Sequence, residues 1–217
     1  METSQSALER MWYSINYMIV YSSNYETLKS SRIEDYIRTL TLGNDKFATR
    51  QGNIKSWYIL SKACAELINT SPNFARVARL YVEHCRTISD NGTVPEELAR
   101  GRRSNEYHAY FIMPLIIVTY MLMKIGSSVY DQPNVHKLVN YVLSVYFNQS
   151  PLQDPMSNIS PWFTLYYAMF GYRYLKPAYI ESVRKLVQNV KTSDTTNIGS
   201  FVYTFVAAND KFVIPKF

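Results

Sequence analysis

From Glu106 to Lys124 the chain is apolar on nearly every side of a helical wheel. Such a helix has no face to offer water, so it belongs at the centre of a fold with other helices around it. Gly126 stands just past its end, where a helix stops. The flanking sequence supplies one-sided partners. Ile54, Trp57, Leu60, Cys64, Leu67 and Ile68 mark one apolar face, and Phe74, Val77, Tyr81, Cys85 and Ile88 the next. Val135, Leu138, Val139, Val142 and Tyr146 form another stripe, and Trp162–Phe170 and Tyr179–Val190 two more. Residues 5–24 and 32–42 are also helical in pattern. Only the tail, at 201–206 and 211–214, has β-like character. The connections at 148–155 and 192–197 are turn-rich but too short to divide the chain. Residues 1–217 therefore read as one all-α domain of antiparallel helical hairpins.

At 47% apolar and 18% charged residues, 217 residues bury a real core without covalent staples. Cys64 and Cys85 fall on apolar faces and are expected as free buried thiols. The polar N-terminus lacks the basic start and apolar core of a signal peptide, which makes a cytoplasmic location the default expectation. The longest apolar run, Phe111–Met123, falls short of the roughly 20 residues of a membrane span and contains Pro114 and Thr119. A formal charge of +6 fits a polyanionic partner: a polyuronate, a nucleic acid or a phospholipid surface.

Several chemistries lack their residues. Three histidines and two cysteines at unrelated spacings make no zinc site, so no metal is expected. With seven glycines and no phosphate-cradling loop, no nucleotide cofactor is expected either. No helix carries the dense basic face that nucleic-acid phosphates need.

One run does gather chemistry. Asn91-Gly-Thr-Val-Pro-Glu-Glu-Leu-Ala-Arg100-Gly-Arg-Arg-Ser-Asn-Glu-Tyr107-His108-Ala-Tyr110 sets three arginines in a turn just ahead of the central helix and three ring residues at its start. Cleaving a polyuronate by β-elimination has three requirements. The sugar carboxylate must be neutralised, a base must take the proton from the neighbouring carbon, and an acid must protonate the leaving oxygen. Guanidinium and amide groups suit the first task. A tyrosine, with an ordinary pKa of about 10, suits the others when cations lie close. The bland alternative is a solvated arginine loop followed by a buried tyrosine.

The run from Asp90 to Tyr110, with Pro114-Leu115 after it, resembles the signature of the alginate lyase family. Gly52-Asn53-Ile54-Lys55-Ser56-Trp57 is similar to the family's Asn-Asn-His-x-Tyr-Trp run at the head of a helix. Asn134–Leu143, Trp162–Phe170 and Asn197–Ser200 resemble later stretches. The likeness spans about 50–200 and is weak over the N-terminal helices, 1–50. It implies an incomplete α/α toroid with the substrate in a groove on one face. Family members are longer, with further helices upstream. The resemblance makes Asn53 and Arg100 the neutralisers of the uronate carboxylate and Tyr107 the acid, in some members also the base. Arg103, His108, Tyr110 and Trp57 are expected to line the substrate.

Three positions depart from the pattern. Ile54 stands where the family keeps a histidine that assists proton abstraction, Gly52 replaces an asparagine, and Ser56 a tyrosine. Two readings follow. If Tyr107 makes both proton transfers, a slow or altered lyase of an anionic polysaccharide survives. If the histidine is indispensable, the chain is a pseudoenzyme that binds a polysaccharide or a protein partner.

Overall fold

In the computed structural model, residues 4–69, 71–148 and 159–188 are described. Among them every regular element is helical. α1 spans Ser4–Ser23, α2 Tyr25–Leu28, α3 Ser31–Leu42, α4 Gly52–Leu67 and α5 Phe74–Cys85. α6 (Pro95–Leu98) is short, and α7 (Ser104–Lys124), α8 (Pro133–Asn148), α9 (Ile159–Phe170) and α10 (Ile180–Gln188) follow. The β-like tail and the Asn197–Ser200 match lie outside the described residues, as does most of the 148–155 connection.

α7 is the axis of the core. It packs against α4, α5, α6, α8 and α9, and Phe111, Ile112, Leu115, Ile116, Val118, Met121 and Leu122 lose all contact with water. Each such side chain contributes about 1.5–3 kcal/mol of transfer free energy. One polar residue in this stretch, Thr119, is satisfied locally. Its hydroxyl bonds to the Leu115 carbonyl at 2.7 Å and to the Tyr81 hydroxyl at 2.7 Å. The helix runs unbroken through Pro114 and Thr119. Gly101–Lys124 thereby reaches the length and hydropathy of a membrane span, contrary to the expectation from the shorter run. However, 78% of its apolar window is buried inside the fold, as in the core helix of a globule.

The hairpins are antiparallel. Ser56, near the start of α4, bonds His84, near the end of α5. His108, early in α7, packs on Tyr141, midway along α8. At the other end, the Tyr81 hydroxyl joins Thr119 to the carbonyl of Tyr130, just before α8. α1 closes the N-terminal side through Trp12, edge-on to Trp57 at 5.9 Å, while Asn44 bridges Ser14 and Ser61. Cys64 and Cys85 are free and buried, and burial pushes both thiols up.

Burial also lowers all three histidines, His84 to about 3. His84 is stacked on Phe111, with its Nε2 2.8 Å from the Ser56 hydroxyl. An unfolded chain takes up this proton near pH 6.5, whereas the folded state resists until about pH 3. Between those values the unfolded state binds more protons, so stability falls as pH falls through that window. Urea midpoints should therefore drop between pH 7 and pH 4.5. In His84→Gln the drop should be smaller; an unchanged slope would mean that His84 does not stay neutral in the fold.

Candidate functional site

The site is built where the starts of α4 and α7 meet the loop between α5 and α6. That loop is set by a side-chain turn in which Asn91 Oδ1 accepts from the Thr93 backbone N–H (3.1 Å) and hydroxyl (2.7 Å). His108 then ties it to α7. Its Nδ1 donates to the Ser104 carbonyl at 2.7 Å, and its Nε2 accepts from Val94 N–H at 2.9 Å. Only the neutral ring can do both, in keeping with the lowered pKa that burial imposes. Pro95 opens α6 at a position where a missing N–H costs nothing.

α6 delivers Glu97, whose side chain is wholly buried. Its Oε1 accepts two bonds from Asn53, at 2.6 Å from the backbone N–H and 3.1 Å from Nδ2. Its Oε2 faces Arg100 Nε at 3.4 Å. The Arg100 guanidinium, on a side chain 41% exposed, lies over the ring of Tyr107, 4.3 Å from its centroid. Arg103 approaches the same ring at 5.0 Å while its fork grips Glu106. Tyr110 stands edge-on to Tyr107 at 5.8 Å and donates its hydroxyl to Glu106. Burial and Glu106 hold the Tyr110 phenol above its ordinary value, whereas Arg103 holds the Glu106 carboxyl below its own.

Asn53, Arg100, Tyr107, Arg103 and Tyr110 are thus brought together. Trp57 and His108 are not available to a polymer. Trp57 is 2% exposed against Trp12, and His108 is spent on positioning the loop. Both are corrected here to core residues that support the site from behind. Ile54 is half-buried against the core, so an apolar anchor occupies the turn beside Asn53. Sequence reasoning missed Glu97. Its signal was spacing: an acid three residues before Arg100 shares a helical face with it. The pattern could not choose between Glu96 and Glu97.

A cleft of about 180 Å³ borders Gly52 and is lined by Arg50, Gln51, Lys55, His84 and Glu96 among others. A larger cavity of about 420 Å³, beside Asp131, His136 and Tyr174, touches none of the residues gathered above. Its polar groups largely satisfy one another, with Asp131 accepting from His136 (2.6 Å) and from Tyr174 (2.7 Å). Among the described residues no three His, Cys, Asp or Glu side chains gather as metal ligands.

Compared with known protein families, the chain matches the family model described as alginate lyase, over residues 7–152. The match reaches into the N-terminal helices, upstream of the first motif. No curated protein and no solved structure matches the chain.

Proposed function

This chain belongs to the alginate lyase family, and we propose that it binds an anionic uronate polymer at the starts of α4 and α7 and cleaves it slowly by β-elimination. The observation that carries the reading is the linkage of Asn53 to Arg100 through one buried carboxylate, with the Arg100 guanidinium in turn lying over the ring of Tyr107. Residues from two helices and the loop between them are held in contact, although 54 positions separate the first from the last (107 − 53).

In the proposed reaction Asn53 and Arg100 hold the sugar carboxylate and spread its charge, which acidifies the proton on the adjacent carbon. Tyr107, as phenolate, takes that proton. The C–H electron pair becomes a carbon–carbon double bond, the bond to the glycosidic oxygen breaks, and the Tyr107 phenol returns the proton to the leaving oxygen. Charge on the Tyr107 oxygen would meet two guanidinium groups close to its ring. With isoleucine at 54, no second group shares the proton transfer. Ile54 also favours the other reading, a pseudoenzyme that holds polymer or a protein partner without cutting.

Restoring the histidine separates the two. Wild type and Ile54→His are incubated with a panel of polyuronates, and the ultraviolet absorbance of the unsaturated product is followed. Slow cleavage by wild type and a rise on the order of 10²-fold in Ile54→His are expected. Binding without product from either protein would establish the binder, and no binding at all would remove the polymer from the account.

A further inference from the structure

We infer that Glu97 is the positioning residue of the carboxylate-binding end of this site. The inference deepens the reading above and rests on it.

A glutamate is rarely buried unless it is paired, and desolvating its charge is costly unless donors surround it. Here the compensating groups are the neutralisers themselves: Asn53 donates two N–H groups to Oε1, and Arg100 faces Oε2 as an ion pair at 3.4 Å, without a hydrogen bond. Gly52 lies directly against the present position of this carboxylate. A Cβ there would lie 2.3 Å from Glu97 Oε1, closer than any real contact, and the backbone at Gly52 has φ +61°. The asparagine that the family pattern carries at this position could not share the space with Glu97 as it now stands.

Glu97 also accepts at the start of α4, where the N-cap residue Gln51 makes no side-chain capping bond and the helix dipole favours an anion. Capping alone would make it a structural residue. The pattern of its bonds goes further. Arg100 is engaged through Nε, which leaves its two Nη groups for a ligand carboxylate, and one Asn53 amide hydrogen is fixed while the other remains. An amide and a guanidinium from different elements are oriented by one carboxylate, so their contributions to binding a uronate are coupled.

The test is a double-mutant cycle on Glu97→Gln and Arg100→Gln, with calorimetric titration of an alginate oligosaccharide and thermal melts to establish folding. Each single variant should weaken binding about tenfold, and the double variant should bind no more weakly than the worse single, because the pair acts as a unit. A double variant about a hundredfold weaker, with losses that simply add, would overturn the inference. A ligand-free measurement accompanies it: the ¹⁵N-correlated signals of Asn53 Nδ2 and Arg100 Nε should both shift in Glu97→Gln, and in Gly52→Ala should Glu97→Gln fail to fold. Unmoved signals overturn the positioning role whether or not the oligosaccharide binds. Signals that shift in Glu97→Gln, together with a wild type that binds no oligosaccharide, would leave Glu97 as the organiser of Asn53 and Arg100 and sink the polymer reading instead.

Discussion

Tyr107→Phe is expected to abolish product formation from polyuronate while leaving the polymer bound. The substitution removes one oxygen and keeps the ring. Arg100 and Arg103 approach that ring at 4.3 and 5.0 Å, and Tyr110 stands against it at 5.8 Å, so the packing of the site survives. What disappears is the group proposed to carry the proton both ways. A positioned acid or base is worth on the order of 10²–10⁴ in rate, and here one residue is assigned both roles, so the loss should reach the upper end. The control is Tyr110→Phe. Its hydroxyl is committed to Glu106, and its removal should reduce the rate less than about tenfold, since no proton transfer is assigned to it. Activity by product absorbance and affinity by calorimetry, on the same preparations, make the comparison. Cleavage by Tyr107→Phe at the wild-type rate would remove Tyr107 as proton carrier.

The architecture was legible because helix signals are local. The stripes through α4, α5 and α8 repeat at helical spacing, and the all-round apolarity of α7 placed it at the centre, where Phe111–Leu122 are buried. The site was legible in part for the same reason. Arg100 and Tyr107 lie seven positions apart across one short turn, so their approach needed little more than chain geometry. Longer-range arrangements left no local trace. Nothing in the pattern of α4 said that its first turn would be capped by an acid 44 residues away. Nor did it say that Trp57 would face Trp12 rather than a polymer. His108 misled for another reason: its neighbours Tyr107 and Tyr110 belong to the site, but on a helix adjacent positions point about 100° apart. The ring turns inward and serves the backbone of Val94.

That dependence on the 89–94 loop makes Gly92→Ala the most damaging single change expected outside the site. Gly92 has φ +86°, which a residue with a side chain adopts only under strain. The strain is the smaller part. A Cβ at 92 would lie 2.3 Å from the Lys137 carbonyl oxygen and 2.7 Å from its carbon. Those atoms belong to the backbone of α8 and cannot rotate aside as a side chain would. Either α8 or the loop must move, and several contacts resist: Lys137 to Asp90, Asn134 to the Cys85 carbonyl, Val94 to His108. A cost of about 3–5 kcal/mol follows from overpacking added to a strained backbone. In a chain of this size that is a fall in Tm of roughly 10 °C. Because Glu97 hangs from the same loop, affinity for the oligosaccharide should fall with stability, whereas Tyr107→Phe should leave both intact. Thermal melts and titrations of the two variants side by side check this. A Gly92→Ala protein that melts with wild type would show that the loop can leave α8 freely, and Glu97 would then have no fixed seat from which to orient Asn53 and Arg100.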